Sequence, residues 1–180
     1  MARKNIKYWC LGLLLAIAGS CSSKSSENES NDMKMEETLY KSKPFTTKNE
    51  FTGGIEGPAV DKEGNLYVVN YGEEGTIGKV TPEGEASLFI NLPEGSTGNG
   101  IRFNSKGEML IADYTGHNVL NVDMQALEIS VYAHHDDLNQ PNDIAIMDND
   151  IVFASDPDWK NSVGQLWRVG LDGQFVLLET

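Results

Sequence analysis

Three oxygen-bearing side chains stand at one spacing in this sequence. Glu56, Asn99 and Asn142 lie 43 residues apart, each from the next. Brought together, one carboxylate and two amide oxygens make an oxygen-only donor set. Hard oxygen donors select Ca2+ or Mg2+ over zinc or copper. Ca2+ suits the set better, because its coordination tolerates ligands from separate segments, and another divalent cation is the alternative. Taken singly, Asn before Gly or Asp is ordinary turn chemistry, and Glu56 reads as a solvated loop charge. The shared register is what makes a site of them.

The register belongs to a repeat. EGPAVDKEGNLYVVNY (56–71) lies over NGIRFNSKGEMLIADY (99–114) without a gap, and NDIAIMDNDIVFASD (142–156) continues it. Each block is followed by two more strand-like runs: TIGKVT and ASLFI, VLNVD and EISVY, QLWRV and FVLLE. Turn signals such as KEGN (62–65), PEGE (82–85) and LDGQ (171–174) separate the runs. NVDMQALEI (121–129) reads as strand, turn, strand, and no window has a helical period. Four short strands per repeat of this length predict an all-β chain built of β-propeller blades. A β-sandwich with chance similarity is the competing architecture. In a propeller each of the three ligand candidates would immediately precede the innermost strand of its blade and face the central channel. The runs LYVVN, MLIAD and IVFASD are apolar on both faces, as expected where blades cover one another. Residues 51–180 hold three repeats, whereas a propeller closes with four to eight blades. The expectation is therefore a fragment of a longer protein, or a chain that must assemble, with open edges and a half-exposed core.

The N-terminus has a different character. Arg3, Lys4 and Lys7 precede a short apolar run, CLGLLLAIAG (10–19), which predicts a signal peptide over residues 1–20. AGSC (18–21) resembles a bacterial lipobox, with Ala18 where Leu is preferred. That resemblance makes Cys21 the lipidated N-terminus and places the chain, exported, at the cell envelope. An ordinary signal peptide with Cys21 incidental is the alternative. Residues 21–45 are Ser- and Glu-rich and read as a disordered tether. Beyond Cys10 and Cys21 there is no thiol, which excludes disulfides, Cys-ligated zinc and a Cys nucleophile from the folded part. The formal net charge of −13 argues against nucleic acid as a partner and suits cation binding. Membrane contact is expected only through the lipid, and nothing in the sequence sets an oligomeric state.

EGPAVDKEGNLYV, PNDIAI and the DPDW…GQLWRV arrangement (156–159, 164–169) resemble the gluconolactonase/regucalcin family of six-bladed calcium propellers. The resemblance covers residues 51–180, about the first half of that domain, and implies that residues 46–180 are the N-terminal half of a six-bladed propeller. It implies that Glu56 and Asn142 bind the metal, and that Asn99 stands at the metal and the substrate. It also implies a last ligand and candidate general base, an Asp in the following blade. One more step of the register places that Asp just beyond Thr180, so no catalytic base is assigned in this chain. Lactonase members carry Arg where Thr97 stands, which puts a gluconate-type lactone in doubt. They often carry an acidic residue or His where His117 stands, so His117 either lines the substrate pocket or is an exposed turn residue.

The function so implied is calcium-dependent hydrolysis of a lactone or related ester. A non-catalytic propeller binding a ligand or protein at the envelope is the alternative, and a phosphotriesterase-like activity is a further one. His134 and His135, adjacent on an extended chain, point opposite ways and make a poor metal pair. Trp159 and Trp167 are expected to pack between blades. There is no G-x-S-x-G elbow.

Overall fold

The ungapped repeat becomes three four-stranded antiparallel sheets, each a simple meander. A computed structural model describes residues 41–180. The signal peptide, Cys21 and most of the tether lie outside the described residues. The first sheet holds β1 (Ala59–Val60), β2 (Leu66–Val69), β3 (Thr76–Val80) and β4 (Ala86–Asn91). The second holds β5 (Gly98–Phe103), β6 (Met109–Asp113), β7 (Asn118–Asp123) and β8 (Glu128–His134). The third holds β9 (Ile144–Ile146), β10 (Val152–Asp158), β11 (Val163–Val169) and β12 (Phe175–Glu179). No helix occurs among the described residues. These are three blades of a β-propeller, with the first strand of each blade innermost.

The first hairpins of the first two blades show why the chain turns where it does. Asp61 accepts hydrogen bonds from the backbone N–H of Glu63 (3.0 Å) and Asn65 (2.8 Å), closing an Asx turn before β2. Asn104 repeats the device before β6, accepting from Lys106 (3.0 Å) and Glu108 (2.9 Å).

Packing explains the apolar central strands. Side chains alternate across a strand. In β6, Met109 and Ile111 join Val69, Ile77, Leu120 and Val122 between the first and second sheets. Leu110 and Ala112 point the other way and join Ile144, Val152, Trp167 and Val169 between the second and third. With neighbours on both sides, all five residues of β6 are buried. Among the described residues strand β10 has a neighbour on one side only, and its residues are by turns buried and partly or fully exposed. The first sheet is covered on its other side by the segment before it: the Phe51 ring lies so close to Gly78 that a Cβ there would sit 2.7 Å from it.

Two expectations need correction. Asn99 lies inside β5, not before it, because pairing of Gly98 with Asp113 starts that strand early, ahead of a bulge that ends at Ile101. Trp167 is buried between blades, but Trp159 is 62% exposed. It sits in the turn after β10, on the side where the third sheet has no neighbour among the described residues.

At the end of the blades remote from the ligand candidates, Asp150 ties the third sheet to the second. Its carboxylate accepts from Ser105 N (2.7 Å) and Ser105 Oγ (2.6 Å). The Ser105 hydroxyl and then its amide hold the Asp150 carboxyl below the usual range. A lowered folded value stabilises the fold above the unfolded value and is lost as pH falls through the folded one. The stability advantage of wild type over Asp150→Asn is expected to be full at neutral pH and to shrink from about pH 5 to about pH 2. Urea melts of both chains across that range check it.

Candidate metal centre

Three innermost strands side by side bring distant residues to one place. Glu56 precedes β1, Asn99 is the second residue of β5, and Asn142 precedes β9. All three line one cleft of about 290 Å³. Glu56 is exposed, while Asn99 and Asn142 are half-buried. The convergence expected from the register is therefore present.

Close approach of the backbones makes it so. Gly57 follows Glu56 and adopts φ +59°, and a Cβ there would overlap the Asn99 carbonyl oxygen. Gly100 follows Asn99, and its N–H donates to the Asn142 carbonyl (2.8 Å). A Cβ on Gly100 would lie 2.8 Å from Asp143 Cα. Glycine at both steps lets each blade carry its ligand candidate up against the next. In the third blade the same register position is Asp143. The segment there is pinned to its own sheet: Asn142 N donates to Ser155 O (2.9 Å), and Ser155 N to Asp143 O (3.0 Å).

Two further charged residues line the cleft, Arg102 and Asp143. Arg102 Nη2 lies 3.2 Å from Asp143 Oδ1, and Arg102 Nη1 donates to its own Ile101 carbonyl (2.6 Å). This pair joins the second blade to the third beside Asn99 and Asn142. It also leaves the Arg102 charge matched by Asp143 rather than by Glu56. Sequence reasoning passed over both residues. The available signal was the register itself, which puts Arg102 where the other blades have Ala59 and Ala145.

The donor chemistry fits a hard cation. Glu56 supplies charge, and two amide oxygens supply neutral donors, a mixture of the Ca2+ type. Among the described residues no group of three or more His, Cys, Asp and Glu gathers, so a site built from those residue types is not formed.

The other candidates fall elsewhere. His117 ends the turn between β6 and β7 with φ +58°, and the residues lining the cleft do not include it. Its carbonyl faces His134 Nδ1 at 3.1 Å, and the same nitrogen is 2.8 Å from Asn118 Oδ1. His135 turns away from His134 and packs its ring 4.8 Å from that of Trp167. Thr97, standing where the lactonases carry Arg, donates its N–H to Asp113. A larger cleft of about 450 Å³ shares Asn142 and opens along the uncovered side of the third sheet, past Trp159 and Gln165.

Comparison with protein-family models and with curated protein sequences returns no match. Among solved structures, a gluconolactonase from Xanthomonas campestris superposes with a TM-score of 0.60 at 14% identity, over 73% of this chain and 48% of its own. Regucalcin from Agrobacterium tumefaciens, described as a calcium-binding protein, gives 0.56 at 20%, over 69% and 42%. Virginiamycin B lyase from Staphylococcus aureus gives 0.59 at 12%, over 74% and 43%. At such identities these likenesses identify the propeller fold and nothing finer. The chain spans less than half the length of each of these three proteins.

Proposed function

We propose that this chain carries part of the active site of a divalent-cation-dependent hydrolase of lactones or related esters. The observation that supports it is the meeting of Glu56, Asn99 and Asn142 in one cleft. In this reading those three residues would hold Ca2+, which would supply Lewis-acid polarisation of the ring-ester carbonyl. Asn99 also meets the substrate, whereas His117, in the turn between β6 and β7, stands outside the cleft lining and is given no role. The Arg102–Asp143 pair keeps an opposite charge beside Asp143, so that Glu56 remains free for the cation. No residue of this chain is assigned as the general base. Export and a lipid on Cys21 would place this activity at the cell envelope.

One observation favours the non-catalytic reading. Of the cleft's two carboxylates, Asp143 is paired with Arg102, and Glu56 is assigned to the cation in this reading, which leaves neither to activate water. A pH-stat assay of lactone opening, run on the protein isolated from its natural source, separates the two. Hydrolysis with Ca2+ that stops in chelator is the expected result. Hydrolysis that persists in chelator contradicts the cation's role, and no hydrolysis in either condition favours the binding module.

A further inference from the structure

A second ladder runs through the blades in the same register. Asn70, Asp113 and Asp156 follow their ligand candidates at a fixed distance, and all three are buried. Both carboxylates are fully enclosed, at 0% exposure. A buried carboxylate is costly unless donors surround it, so its partners show what it is there to hold. Asp156 accepts from Asn139 N (2.9 Å), Gln140 N (2.6 Å), Asn139 Nδ2 (3.2 Å) and Trp167 Nε1 (3.3 Å). Asp113 accepts from Ser96 Oγ (2.8 Å), Thr97 N (3.3 Å), Gly116 N (2.9 Å) and Asn118 Nδ2 (3.2 Å). In each case two of the donor residues belong to the segment that runs directly into a ligand candidate. Residues 139–140 lead to Asn142, and residues 96–97 lead to Asn99.

The first blade inverts the polarity. Its segment presents the Gly54 carbonyl, and the buried residue is an amide, Asn70, whose Nδ2 donates to that oxygen (2.7 Å). The residue type thus follows what the segment before the ligand offers: acid where it offers N–H groups, amide where it offers C=O.

We propose that Asp113 and Asp156, with Asn70 as their counterpart, are positioning residues for the cation site. They fix the backbone that aims Asn99, Asn142 and Glu56 into the cleft, an inference that rests on the cation site proposed above. Holding a ligand in place from a hydrogen-bonded outer layer is commonly worth ten- to a hundredfold in metal affinity.

The test is Ca2+ affinity of the full chain, read by displacement of Tb3+ luminescence. Asp156→Asn and Asp113→Asn are each expected to weaken binding by about tenfold to a hundredfold. Ser96→Ala removes one donor to Asp113 without burying a new group, and is expected to weaken it by a smaller factor, about three- to tenfold. It decides the matter if the Asp variants do not fold. Asp61→Asn is the control, since Asp61 also gathers several donors but in the hairpin turn at the opposite end of the first blade. It should lower stability and leave affinity unchanged, which a general loss of structure would not do. Asn142→Ala reports on the site itself. If Asn142→Ala loses binding while Asp156→Asn and Ser96→Ala bind like wild type, the positioning role is overturned and the site stands. If the wild-type chain binds no cation, the proposed function falls and this assignment falls with it.

Discussion

Gly57→Ala is expected to destabilise the fold by about 2–5 kcal/mol and to abolish cation binding. Two independent terms add at this residue. The backbone is left-handed, at φ +59°, which costs a residue with a Cβ about 1–2 kcal/mol. The new Cβ also overlaps the Asn99 carbonyl, and forcing apart a packed junction costs about 1–3 kcal/mol. The obstacle is backbone of the neighbouring blade, not the flexible end of a side chain. Relief therefore requires that the first and second blades separate where Glu56 and Asn99 meet. Gly53→Ala, with nothing within 4 Å of its added Cβ, is the matched control and should be near neutral. Urea melts of the two variants, followed by cation titration, give both readouts. A loss below about 1 kcal/mol for Gly57→Ala would contradict the close approach.

Glu56→Gln separates the site from the fold in the opposite sense. The substitution keeps the shape, and Glu56 is exposed, so stability should move by no more than about 0.5 kcal/mol. Affinity for Ca2+ should nevertheless fall by more than about a hundredfold. Calcium sites are tuned by the number of charged ligands, and Glu56 is the one carboxylate of the proposed set. Removing the one negative charge of the donor set is expected to cost more than the ten- to hundredfold typical of an outer-layer residue. Unchanged affinity in Glu56→Gln, by Tb3+ displacement, would remove Glu56 from the site.

Much of this architecture was legible from local physics. The MLIA run of β6 announced burial on both faces, and KEGN (62–65) marked the tight turn before β2. The 43-residue register then placed Glu56, Asn99 and Asn142 at equivalent points of successive blades, and equivalent points on innermost strands converge. What stayed hidden depends on which surfaces meet. Trp159 and Trp167 look alike in sequence, but one lies beside the neighbouring blade and the other in a turn on the side with none. The Arg102–Asp143 pair crosses between blades, so neither residue's own repeat reveals its partner. Asp113 and Asp156 sit at the ends of apolar runs, where an acid normally signals exposure. Only the enclosed donors of the preceding segments show that these two are buried. Phe51 covers Gly78 from a segment that shows no strand pattern of its own.

The most direct test of the central claim observes the two amides themselves. A Ca2+ titration of the isotopically labelled chain, followed through the side-chain amide resonances of Asn99 and Asn142, reports whether both oxygens take the ion. The account predicts that both move together, saturate at one equivalent, and stop responding in Glu56→Gln. Side-chain amides that stay still at saturating Ca2+ would contradict it.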